Sequence, residues 1–112
     1  MLYTYKAELF RVIDGDTVEL LIDMGFNVRI RERFRMNRIN APEMELEERP
    51  AGIASKEWLH KKIAGRMLQV ITHKDTKDKY GRYLCDIFVD DGTGRPVNDL
   101  MVEAGHAVYK QY

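Results

Sequence analysis

Arg29-Ile30-Arg31-Glu32-Arg33-Phe34-Arg35-Met36-Asn37-Arg38-Ile39-Asn40-Ala41-Pro42-Glu43 is the stretch around which the rest of the chain is read. Alternate side chains of a strand share a face. Arg29, Arg31, Arg33 and Arg35 therefore point one way and form a row of guanidinium groups. Val28, Ile30, Phe34 and Met36 point the other way, onto a face fit for a core. Pro42 stops the strand, and Glu43 follows in a rigid turn. Bidentate cations beside a held carboxylate suit chemistry on a phosphate.

Working outward, Tyr3–Ile13 reads as a first strand and Asp14-Gly15 as a tight turn. Thr17–Ile22 is the returning strand, and Gly25-Phe26-Asn27 turns the chain into the arginine strand. From Pro50 the period changes to that of a helix. Ala54, Trp58, Leu59 and Ile63 recur at helical spacing between about Ala51 and Gly65, with Trp58 in the core. Leu68–His73 and Tyr83–Val89 are strands, separated by the charged loop Asp75–Arg82. Val97–Ala104 is a short helix capped by Gly105. Three strands, a helix, two strands and a helix predict a β-rich α+β fold. Its form is a five-stranded OB-type Greek-key barrel with a helix between strands 3 and 4 and a short C-terminal helix. A split α+β sheet is the competing fold. Residues 1–112 make a single domain.

Composition narrows the class. With 45% apolar and 32% charged residues the chain is globular rather than disordered. Cys85 stands alone in an apolar run and reads as a small core side chain, so nothing calls for an oxidising compartment. No signal peptide or membrane-length apolar run is visible, which makes a cytoplasmic, membrane-free monomer the expectation. Net charge is zero, which counts against strong non-specific binding to nucleic acid. Glu45, Glu47 and Glu48 read as a solvated loop. His60, His73 and His106 lack metal-ligand spacing and receive no role.

Four separated pieces then stand in order: Ile13-Asp14-Gly15-Asp16-Thr17; Arg35; Asn40-Ala41-Pro42-Glu43; and Asp78-Lys79-Tyr80-Gly81-Arg82. Val97-Asn98, Leu100-Met101-Val102 and Gly105-His106-Ala107 follow them. In this order they resemble the staphylococcal-nuclease (thermonuclease) family, from about Leu9 to Ala107. The resemblance implies an OB barrel, in agreement with the strand order. It also implies a Ca²⁺-dependent phosphodiesterase cleaving DNA and RNA with little sequence preference, its partner being nucleic acid as single-stranded or denatured DNA or RNA. On the matching positions Asp16 would be a metal ligand, with Asn40 and the backbone carbonyl of Ala41. Arg35 and Arg82 would grip the scissile phosphate, Glu43 would orient or deprotonate the attacking water, and Lys79 and Tyr80 would touch the substrate.

The chain departs from the family pattern at Asn40, where aspartate is usual. A neutral amide can coordinate Ca²⁺, but losing a charge weakens the site. The alternative is therefore a catalytically weakened OB module that binds nucleic acid or a peptide partner. Plainer readings stand beside each motif. Asp14 and Asp16 also suit a hairpin turn, and Arg29, Arg31 and Arg33 a solvated face or diffuse phosphate track. Arg82 also suits a loop cation facing Asp75 or Asp78, and Tyr80 suits core packing. Tyr109 and Tyr112 are aromatic but without a secure register.

Overall fold

Residues 3–43, 49–74 and 83–111 are described in the computed structural model. Strand β1 (Tyr3–Asp14) is followed by β2 (Thr17–Asp23), β3 (Arg29–Met36) and the two-residue β4 (Ile39–Asn40). Helix α1 (Arg49–Ile63) leads to β5 (Leu68–Lys74) and β6 (Tyr83–Phe88). Helix α2 (Val97–Glu103) and β7 (Val108–Tyr109) complete the order. Five strands close into a barrel in the order β1-β2-β3-β6-β5, and β4 pairs with β7 in a separate two-stranded sheet. The three-strand meander, the helix before the fourth barrel strand and the closed OB-type barrel are as the sequence predicts. The β4–β7 pair is an addition.

Closure depends on β3. Along one edge β2 pairs antiparallel to it from Thr17↔Arg35 to Asp23↔Arg29. On the other edge β6 pairs parallel to it over Phe34↔Tyr83 to Met36↔Cys85 only. The far half of β3 therefore projects beyond the barrel. This corrects the expected core face of the strand. Phe34 and Met36 are buried, whereas Ile30 and Val28 are 43% and 51% exposed. Alternation says which side a residue faces; it does not say whether another element covers that side.

The core is built from Val18, Leu20, Ile22, Phe34, Met36, Leu68, Val70, Cys85 and Ile87, capped by Leu59 and Ile63 of α1 and Val97 and Met101 of α2. Each such aliphatic side chain contributes about 1.5–3 kcal/mol by leaving water. Cys85 is a buried free thiol, and burial pushes its pKa far above the ordinary range.

Helix α1 starts at Arg49, two residues before the expected start. Pro50 is tolerated in the first turn, where its missing N–H has no intrahelical acceptor. Its buried residues are Gly52, Ser55, Leu59 and Ile63, so Ala54 faces solvent instead of the core. Trp58 is partly buried against the core, its ring 5.7 Å from that of His106. After α2, Gly105 has φ +81° and its N–H donates to the Val102 carbonyl, while the His106 N–H donates to that of Met101. These are the two bonds of a Schellman stop, which needs the left-handed residue that glycine supplies. Among the described residues no helix is long and apolar enough to cross a membrane.

Candidate phosphate and cation site

The hairpin between β1 and β2 places the first carboxylates. Asp14 faces Thr17 across a register shift in β1, leaving Gly15-Asp16 as the loop. Such irregularities re-aim side chains at barrel rims. Gly15 is squeezed: an added Cβ would stand 2.1 Å from Ser55 Oγ and 2.7 Å from Ala41 Cβ. Ser55 is itself pinned, donating to the His106 carbonyl at 2.8 Å. Hairpin, helix α1 and the Asn40-Ala41 segment therefore meet at one point, and only glycine lets them approach this closely.

Asp16 is turned inward and is 4% exposed. Its Oδ2 accepts the Ala41 N–H at 3.0 Å, and its Oδ1 accepts the Thr17 hydroxyl at 3.1 Å. Its backbone carbonyl accepts the Met36 N–H at 2.7 Å, which locks the hairpin to the end of β3. Arg35 lies directly opposite Thr17. Its Nη2 donates to Asn40 Oδ1 at 2.8 Å and lies 3.4 Å from Asp16 Oδ2. One guanidinium nitrogen thus bridges the carboxylate and the amide, and the Arg35 side chain is only 16% exposed.

The charges in this cluster are coupled. Burial pushes the Asp14 carboxyl up to about 6, aided by its hydrogen bond with Asp16 and that group's negative charge. Burial also opposes ionisation of Asp16. There it is outweighed by hydrogen bonds from Asp14 and the Ala41 N–H, then by the Arg35 charge and the Thr17 hydroxyl, so Asp16 is held below the usual carboxylate range.

The structure therefore brings together Asp16, Arg35, Asn40 and Ala41, four of the eight residues singled out from the sequence. Ala41 enters the cluster through its N–H. Glu43, two residues further on, is exposed beside Pro42. Lys79, Tyr80, Arg82 and Tyr112 lie outside the described residues. Asp14 is a member of the cluster that reads in the sequence as a turn residue. Its signal is the Asp-Gly-Asp spacing, which puts two carboxylates on either side of a glycine too confined to separate them. Among the described residues no three His, Cys, Asp or Glu gather as a metal-holding group.

A second layer fixes the segment that carries Asn40. The Asn37 N–H donates to the Cys85 carbonyl at 2.8 Å, and Arg38 adopts φ +66°. Arg38 pairs with Asp99 at 3.0 Å and Asp86 at 3.4 Å. Asn98 is fully buried and its amide makes three hydrogen bonds. It accepts from the Ile87 N–H at 3.1 Å and donates to the carbonyls of Asn37 at 2.9 Å and Cys85 at 3.0 Å. Tyr109 is exposed, and its hydroxyl donates to Asp99 at 3.2 Å. His73 lies 3.0 Å from Asp86, an ion pair when its ring is protonated.

Comparison with known proteins agrees with this geometry. A model of the staphylococcal nuclease homologue family matches residues 33–112. The chain is 36% identical over 107 residues to an uncharacterized endonuclease of Escherichia coli O157:H7, covering 95% of this chain and 62% of that protein. It is 31% identical over 112 residues to staphylococcal nuclease domain-containing protein 1 of Schizosaccharomyces pombe, covering 96% of this chain and 12% of that protein. Against protein ParB of Escherichia coli the identity is 32% over 111 residues, covering 91% of this chain and 55% of that protein. The chain spans less than two thirds of the length of each of these relatives. On the match over residues 33–112, well over half of its length, the chain belongs to the staphylococcal nuclease homologue family.

Proposed function

We propose that this domain hydrolyses phosphodiester bonds of nucleic acid with the help of a divalent cation, Ca²⁺ being the best match to its ligands. The observation that carries the reading is the single Arg35 nitrogen shared by Asp16 and Asn40 at a rim held by Gly15. It sets a guanidinium, a group suited to phosphate, beside two hard oxygens of the kind a divalent cation takes.

The residues fit such an ion. Asp14, Asp16 and Asn40 present only hard oxygens, and Ca²⁺ takes roughly 6–8 of these, with carbonyls and water completing the set. The Asp14 carboxyl, raised first by burial and then by its contact with Asp16, is a group whose ionisation a bound cation would favour. Asp16, Asn40, Asp14 and the Ala41 carbonyl would hold the ion, which when bound polarises a phosphoryl oxygen. The Arg35 guanidinium would donate to an equatorial phosphate oxygen and oppose charge that grows in the transition state. Arg82 takes the same part in this proposal. Glu43, exposed at the edge of the site, accepts a proton from the attacking water. Lys79 and Tyr80 contact the flanking substrate. Related proteins whose names include endonuclease or nuclease domain support this reading.

The test compares the native chain with Glu43→Ala on heat-denatured DNA at saturating Ca²⁺, with a melting curve for each. The variant should lose cleavage by at least about two orders of magnitude. Its melting temperature should hold, because an exposed carboxylate contributes little packing. Undiminished cleavage would remove Glu43 from the mechanism.

A second reading is favoured by Asn40 itself. Its amide leaves the site one negative charge short and is already engaged by Arg35. In that case the same surface binds nucleic acid or a peptide without cutting. Failure of the native chain to cut, with cutting restored by Asn40→Asp, would select it.

A further inference from the structure

The outer face of β1–β3 carries a charge excess that the site does not use. Arg11 and Arg33 lie opposite Glu19 on its two neighbouring strands. Glu19 Oε1 accepts from Arg11 Nε at 2.6 Å and Arg33 Nη2 at 3.5 Å, and Arg31 Nε lies 3.6 Å from its Oε2. The carboxylate is sunk, with its side chain 10% exposed, whereas the side chains of Arg11, Arg31 and Arg33 are 59%, 57% and 51% exposed. The hydrogen bond from Arg11 leads the effects that hold Glu19 below its ordinary pKa, so it is ionised at neutral pH.

Three positive charges against one negative leave an excess of two, on a chain whose overall net charge is zero. One carboxylate has two oxygens, and each guanidinium has five N–H donors. Glu19 can therefore take up only a minority of the donors, and the three side chains that carry them are more than half exposed. Arg31 is steadied from below, its Cζ 4.8 Å above the ring of the half-exposed Phe10. At the far end of β3 the excess ends. Arg29 pairs there with Glu8 at 3.8 Å, opposite Asp23. The positive charge is thus confined to the half of the strip next to Arg35.

Position gives this patch a ligand. Arg33 and Arg31 stand two and four residues from Arg35 on the same face, roughly 7 and 13 Å along the strand at about 3.3 Å per residue. That is a repeat on which an extended polyanion can place successive charges. Arginine is suited to phosphate because its planar fork binds two oxygens at once. Surface ion pairs contribute little to stability, so three arginines around one glutamate are more than the fold requires.

We propose that Arg33, Arg31 and Arg11, gathered by Glu19, form a track for the phosphates of a single nucleic-acid strand flanking the phosphate at Arg35. Glu19 acts as the hub that splays the three guanidinium groups outward. The proposal rests on the nuclease reading for its ligand class and for the direction in which the strand leaves the site. The track is separate from the reacting groups, and it lengthens the strand that the domain can grip.

The experiment measures anisotropy of a labelled oligothymidylate in EDTA across a salt series, for the native chain, the double variant Arg31→Gln/Arg33→Gln, and Glu19→Gln. The double variant should bind about tenfold more weakly at low salt. Its log–log salt slope should fall by about 1.4, since each phosphate neutralised on a single strand accounts for about 0.7 of slope and two arginines are removed. Glu19→Gln keeps an acceptor for the arginines and removes the one negative charge, so it should bind several-fold more tightly than the native chain. A fold-supporting role for the cluster predicts the opposite sign. Cleavage of a p-nitrophenyl thymidine phosphodiester, too short to reach the track, is measured alongside with Ca²⁺ restored. The double variant should retain native turnover on it.

Unchanged affinity and slope in the double variant, or weaker binding by Glu19→Gln, would overturn the track. Equal loss on the short substrate would overturn it as well, by placing these arginines in the reacting site. If the native chain cuts neither substrate, the nuclease reading falls, and the salt slopes still decide the track.

Discussion

Asn98→Ala is the substitution for which the structure gives the largest worked cost outside the apolar core. The native amide makes three hydrogen bonds with no exposure to water. Removing it leaves the Ile87 N–H and the Asn37 carbonyl without these partners. The Cys85 carbonyl keeps the Asn37 N–H at 2.8 Å and is spared. One buried and one partly buried orphan at about 1–3 kcal/mol each, plus a small cavity, give a loss of about 3–5 kcal/mol. A domain of this size has about 5–15 kcal/mol in total. The melting temperature should fall by at least about 12 °C, at roughly 4 °C per kcal/mol. Urea unfolding monitored by Trp58 fluorescence reads the free energy directly. The turn at Asn37 and Arg38 carries Asn40, so Ca²⁺ affinity should weaken in the same variant. A loss below about 1 kcal/mol would mean that the backbone groups released by the substitution find other partners, and that Asn98 does not hold the turn.

Further outcomes follow from the same geometry. Gly15→Ala forces a Cβ against Ser55 and Ala41 and should cost about 1–3 kcal/mol in chemical unfolding, as overpacking does; a neutral result would contradict the close approach at the rim. Asn40→Asp adds a negative ligand, so half-maximal cleavage or binding should need less Ca²⁺; an unchanged titration would remove residue 40 from the ligand set. Hydrogen bonds from the Thr93 hydroxyl and N–H, followed by the Lys62 ammonium, hold the Asp91 carboxyl down at about 2. A carboxyl depressed in the fold stabilises above its unfolded pKa of 3.8, and that stabilisation is lost as pH falls from there toward 2. A carboxyl NMR titration should show this low midpoint, rising in Lys62→Met; a midpoint near 3.8 in the native chain would contradict the contacts.

The barrel was legible because its strands are long enough to show a period and are separated by turn dipeptides. Asp16, Arg35 and Asn40 were legible as types at recognisable spacings, and the fold adds that one guanidinium nitrogen joins them. Other features left no such mark. β4 and β7 are two residues each, too short for alternation to register. Asn98 enters the sequence reading only as part of the Val97-Asn98 motif, because nothing local announces that two backbone groups of β6 and one of the turn after β3 converge on it. Val28 and Ile30 carry the right alternation for a core, but β6 is too briefly paired to β3 to cover them. Asp14 looks like a turn former. Its contribution comes from the confinement of Gly15 by Ser55, a residue forty positions away.

The most direct test of the account is cleavage of single-stranded DNA by the native chain across a Ca²⁺ titration, with EDTA as control and Asp16→Asn alongside. Cutting should be saturable in Ca²⁺, abolished by EDTA and lost in Asp16→Asn, which should remain folded by circular dichroism. Cutting that persists in EDTA or in Asp16→Asn would contradict the account, as would a native chain that binds the strand and never cuts it.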